Sequence, residues 1–276
     1  MRKIVFLLVA TLLFNYVNAS FFWPLNFPVD CERNPCNSVC FPVHGLCSDF
    51  DVNFCDSEIL PAEVSVSILP IFINSGEMTF FNKASKIKNL QTDIENYLEY
   101  SGINHKFNFM PPVSIDYSLA VITDSYLYDA AKGKIPSIKA LRTKYGADIV
   151  ALFVYEERDY SGESWAIPAL TPQDAFVAIN LNGISGKPLE YAVAHEIGHI
   201  MGAVHEPGEE LNNQPLCSYG RGFCNYSSFK RTIMATACEI PFNLIYGYST
   251  GETSTNYTHN TAKLIVVQEN WTEVEE

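Results

Sequence analysis

The chain has 276 residues, close to half of them apolar, with 15 Tyr and 18 Phe, which is enough to bury a sizeable core and excludes a disordered protein. Its net charge of −13 repels phosphate, so neither nucleic acid nor an anionic membrane surface is an expected partner.

The N-terminus reads as an address. Arg2 and Lys3 precede an apolar run from Ile4 to Phe14, and Val17, Asn18 and Ala19 supply small residues at a cleavage point. This is the pattern of a secretory signal peptide over residues 1–19, too short to span a bilayer. The expected mature chain is therefore extracellular, with no membrane attachment after the signal is removed. Eight cysteines suit an oxidising compartment, and Asn225, Asn256 and Asn270 each open an N-x-S/T glycosylation triplet.

Five cysteines (Cys31, Cys36, Cys40, Cys47 and Cys55) crowd ahead of Pro61, and Cys217, Cys224 and Cys238 lie far downstream. Residues 20–60 read as a short Cys-rich segment without a core of its own, and residues 61–276 as one larger domain. If all eight cysteines pair, an odd number of bridges joins the two groups. A local Cys217–Cys224 bridge would leave Cys238 for the long-range tie.

From Glu63 onward the pattern is α/β (α+β). Val64, Val66, Ile68, Ile71 and Ile73 predict a first strand that Pro70 interrupts. Ile87, Leu90, Ile94, Tyr97 and Leu98 share one helical face, with Asn82 or Ser85 as cap and Gly102 as terminator. Lys106 to Phe109 reads as a short strand. Pro136 to Tyr145 reads as a helix with proline at its start and Gly146 after its end. Ala147 to Tyr155 is an apolar run fit for a buried strand, and Ser164 to Ile167 and Phe176 to Leu181 are further strands. Glu156, Glu157 and Asp159 form an acidic cluster, read as a solvated loop rather than a calcium site. His44, His105 and His259 fit no ligand pattern.

Pro188 and Glu190 open a helix containing His195-Glu196-Ile197-Gly198-His199, followed by Gly202 and His205. The string is HExxHxxGxxH. Residues four apart lie on one side of a helix, so both imidazoles can meet one ion. Glu196 then sits beside the metal rather than on it. Gly202 permits the turn that brings His205 round as a third ligand. Three neutral nitrogens leave a fourth tetrahedral position for water, the pattern of a catalytic zinc site.

On these residues the chain resembles the metzincin zinc endopeptidases. Arg231-Thr232-Ile233-Met234-Ala235 looks like the family's Met-turn, which runs beneath the metal. The stretch from Asp148 to Val154 and from Trp165 to Pro168 is most similar to the adamalysin-like (reprolysin) branch. Two departures cut across the branches: Glu206, as in astacins, stands where that branch has Asp, yet Thr236 stands where astacins have Tyr. The resemblance implies a twisted mixed sheet, an active-site helix and a Met-turn, with one zinc per chain and Glu196 as general base. It implies a protein or peptide substrate lying along Glu163 to Leu170, so Trp165, Ala166 and Ile167 are candidate substrate contacts. It also places the wall of the main pocket after the Met-turn, at Ile240, Phe242 and Leu244, which favours a hydrophobic side chain just after the cleaved bond. An inactive zinc-binding homologue, or an inhibitor acting through residues 20–60, are the rival readings. Nothing in the pattern sets an oligomeric state.

Overall fold

The computed structural model describes residues 64–239, apart from 75, 77–78, 102, 104, 120–124, 158–159, 168, 170–173, 183–188, 207–219, 228 and 237. The signal peptide, the Cys-rich segment, the boundary at Pro61, the triplets at Asn256 and Asn270, and Ile240, Phe242 and Leu244 all lie outside the described residues.

Strand β1 (Val64–Ile73) is an interior strand of a six-stranded sheet, paired on both flanks. One flank pairs in parallel with β2 (His105–Phe109) up to Ile68, then with β3 (Val113–Ile115) from Ile71. The other flank pairs in parallel with β4 (Ile149–Val154). Pro70 therefore does not interrupt the strand. The Ser67 carbonyl accepts from Asp148 on the β4 side and the Ile68 carbonyl accepts from Met110 on the other. Backbone alternation turns the Pro70 nitrogen to that second side, where β2 hands over to β3 and no ladder bond is lost.

β4 pairs in parallel with β6 (Phe176–Asn180), and β5 (Gly162–Ser164) closes the sheet antiparallel to β6. The order is β2-β1-β4-β6-β5, a mixed sheet with one antiparallel edge. Every residue of β4 and β6 is buried, which accounts for their unbroken apolar sequences.

Helix α1 (Phe80–Tyr100) buries Lys83, Ile87, Leu90, Ile94 and Leu98, the i, i+3, i+4 stripe of a packed face. Its cap is Thr79, whose hydroxyl accepts from the Asn82 N–H, rather than Asn82 or Ser85. Among the short elements that escaped the sequence reading are β3 and α2 (Tyr126–Ala131), the latter capped by Ser125. Helix α3 (Pro136–Tyr145) starts on proline and stops on Gly146 at φ 60°, as expected. The last helix among the described residues, α4 (Leu189–Ile200), packs against β5, β6 and α1. Residues Tyr191 to Ile200 are all buried, so the histidines sit on a helix sealed into the core. A small hairpin, β7 (Cys224–Asn225) with β8 (Lys230–Arg231), precedes the turn carrying Met234. Among the described residues no helix is long and apolar enough to cross a membrane.

Candidate metal centre and cleft

His195 and His199 leave α4 one turn apart on its inner face. The helix ends at Gly202, whose φ of 94° is a left-handed conformation that a side chain would resist. Beyond it, the Val204 carbonyl accepts from Gly222 and the Val204 N–H donates to Gly220. That bridge swings His205 back toward the helix. The Nε2 of His205 lies 2.9 Å from Nε2 of His195 and 3.1 Å from Nε2 of His199.

The other ring nitrogens of His195 and His199 are spoken for. Nδ1 of His195 donates to the Ile233 carbonyl at 2.8 Å, and Nδ1 of His199 donates to the Ala203 carbonyl at 2.8 Å. A carbonyl only accepts, so these contacts put the ring proton on Nδ1 and leave the Nε2 lone pair of His195 and of His199 in the centre. Three convergent nitrogens, two with tautomers fixed by the backbone, form a donor set that fits one zinc ion. Glu206, Cys224 and Cys238 also cluster, but the two sulfurs are joined in a disulfide and offer no thiolate.

Glu196 is 5% exposed and borders the same cleft, about 390 Å³ in volume, as the three histidines. The cleft runs under β5: Gly162, Glu163 and Ser164 line it, with Tyr160 and Ser161 before them and Ile167 after. Trp165 and Ala166, expected here as substrate contacts, are buried instead. Trp165 stacks edge-on with Tyr128, 6.0 Å between centroids, under the Lys132 ammonium. The strand ends at Ser164, before the expected Ser164 to Ile167 segment is complete. Only Ile167 of the three candidates reaches the cleft.

Behind the histidines, Met234 is fully buried. The turn that carries it is held on three sides. Thr232 exchanges hydrogen bonds with Phe223, N–H to carbonyl at 3.0 Å and Phe223 N–H to the Thr232 hydroxyl at 2.9 Å. The Tyr191 hydroxyl (3.1 Å) and the buried Arg231 guanidinium both donate to the Ala235 carbonyl. Burial raises the Tyr191 phenol well above the ordinary tyrosine range, against the opposing pull of Arg231, so the hydroxyl stays a donor. The Glu206 carboxylate accepts from the Thr236 N–H at 2.9 Å, tying the residue after the third histidine to the residue after Ala235.

Two further expectations change. Cys224 pairs with Cys238, Cα atoms 5.9 Å apart, so the local Cys217–Cys224 loop does not form. Glu156 is not solvated: it is 7% exposed and accepts from the Tyr160 hydroxyl at 2.5 Å and the Tyr126 N–H at 3.3 Å. Asn225, which opens the first N-x-S/T triplet, is also buried, its amide oxygen accepting from the Ser227 N–H at 3.0 Å and hydroxyl at 2.6 Å in a local turn.

Residues 80–249 match the family model described as metallo-peptidase family M12, of reprolysin type. The chain is 35% identical over 106 residues to a peptidyl-Asp metalloendopeptidase of Xanthomonas campestris pv. campestris, covering 38% of this chain and 24% of that protein. It thus spans about a quarter of that relative's length. A solved structure of a chaperone–substrate complex shares the fold, with a TM-score of 0.51 at 17% identity over 74% of this chain and 33% of that one. Archaemetzincin from Methanopyrus kandleri overlays with a TM-score of 0.34 at 12% identity, over 54% of this chain and 81% of that one.

Proposed function

The chain belongs to metallo-peptidase family M12, and from that premise we propose that it is a secreted zinc-dependent endopeptidase. The reading rests above all on one observation. The Nε2 atoms of His195, His199 and His205 converge beside a buried carboxylate, Glu196, at the floor of a cleft open to an edge strand. His195, His199 and His205 would hold the ion. The chemistry zinc supplies in such a site is a water acidified to a pKa of about 7 and a positive charge against a carbonyl oxygen.

The chain's own groups do the rest. As the last strand in the sheet order, β5 would set the direction of an extended peptide laid along it through backbone pairing, without reading its sequence. The Glu196 carboxylate takes the proton of the attacking water on one oxygen and delivers it to the nitrogen of the departing amine. Selectivity then falls to the pockets, and the family resemblance, which puts Ile240, Phe242 and Leu244 at the wall of the main one, would favour a hydrophobic side chain just after the cleaved bond. The name of the Xanthomonas relative specifies aspartate instead, and a peptide library separates the two. Secretion is supported by the leader pattern and by the Cys224–Cys238 disulfide, which persists in oxidising compartments.

Glu196→Gln tests the assignment. The variant should keep its zinc and fold but lose activity by about 10² to 10⁴, the usual worth of general acid–base catalysis. Near-normal turnover would remove Glu196 from the chemistry.

A further inference from the structure

Gly162 opens β5, and its backbone lies directly over the Glu196 side chain. A Cβ placed on Gly162 would sit 2.6 Å from Cγ of Glu196, 2.6 Å from its Oε1 and 2.9 Å from Cδ. Carbon atoms in contact normally stay about 3.5 to 4.0 Å apart, so no other residue fits there without displacement. Backbone conformation does not explain the glycine, because residue 162 is extended strand paired in register with Ile179. A glycine inside a strand weakens it, and close approach of another group is the remaining reason for one.

Neither side of the contact can step back easily. β5 is fixed by its pairing with the fully buried β6, and α4 packs beneath both strands. Glu196 is itself buried, with Ala192 and His199 one turn away on either side. We infer that Gly162 is a positioning residue: its missing side chain forms the slot that sets the Glu196 carboxylate beside the three-histidine centre. The strand that would pair with the substrate backbone thereby also fixes the group that moves the proton. One contact ties the height of the peptide above the helix to the position of the carboxylate. This rests on the reading of Glu196 as the proton carrier.

Full-length, zinc-loaded Gly162→Ala, Glu196→Ala and the double variant test it, read by zinc content, kcat and KM on one peptide. Gly162→Ala should keep its zinc and lose about tenfold to a hundredfold in kcat with KM little changed, the effect of misplacing a reacting group by about an ångström. In the Glu196→Ala background no atom beyond Cβ is left for the new methyl to meet, and the same alanine should leave the residual rate unchanged. Melting supplies a second cycle free of activity: Gly162→Ala should lower Tm when Glu196 is present and leave it unchanged in Glu196→Ala. If Gly162→Ala alone does not fold, Gly162→Ala/Glu196→Ala should. Equal losses of kcat in both backgrounds, an unchanged kcat in Gly162→Ala, or failure of the double alanine variant to fold would overturn the inference. An active Glu196→Gln would instead defeat the catalytic reading and leave the melting cycle to judge the slot.

Discussion

The carbonyl oxygen of Ile233 lies 2.8 Å from Nδ1 of His195, so the residue before Met234 decides which nitrogen of the first histidine faces the metal centre. The turn is thus coupled to the site through a backbone atom, and its position matters more than the chemistry of the Met234 side chain.

Gly222 controls that position. A Cβ there would meet the Met234 carbonyl at 2.5 Å and the Ala235 nitrogen at 2.8 Å, and backbone cannot rotate aside. Gly222→Ala should cost about 1 to 3 kcal/mol, the range for overpacking a buried site. It should also weaken zinc binding, because the Ile233 carbonyl moves with the turn. Chelator competition and denaturant titration measure the two effects, and unchanged zinc affinity in a destabilised variant would break the link.

Met234 itself should prove replaceable. It is fully buried and volume is what its place requires. Met234→Leu should cost less than about 1.5 kcal/mol and retain the metal. Outright release of zinc from a folded Met234→Leu chain would give the thioether a direct role.

The Cys224–Cys238 bridge brackets the same turn. Replacing both cysteines with serine should cost about 3 kcal/mol, the chain-entropy value for a loop of about 15 residues. Non-reducing peptide mapping should recover this pair, and with full pairing it leaves Cys217 for a single bridge to the group before Pro61. A recovered Cys217–Cys224 peptide would contradict the arrangement.

The sequence disclosed what is periodic or short in range. The α1 face from Ile87 to Leu98, the buried runs of β4 and β6 and the Pro136 and Gly146 boundaries of α3 all follow from local rules. The spacing of His195 and His199 dictates their shared face, and Gly202 marks the bend before His205. What escaped depends on distant partners. Pro70 looked like a break because the handover from β2 to β3 is visible only in the sheet. Trp165 and Ala166 looked like cleft residues because the end of the strand at Ser164, beyond which both are buried, is visible only in its pairing with β6. Cys224 could have paired with either neighbour on spacing alone. Ser125 followed by Asp129 in the first turn was a usable cap signal for α2, masked by the helix's brevity. Gly162 carried no signal, since its reason is a side chain on another element.

Zinc reconstitution is the most direct measure of the central claim. Full-length protein stripped with a chelator is titrated with zinc while cleavage of an extended peptide is followed. Cleavage should be absent at the start, rise in proportion to added zinc and level off at about one ion per chain, as a single three-histidine site requires. Stripped protein that cleaves at full rate, or zinc-loaded protein that cleaves nothing in a diverse peptide library, would contradict it.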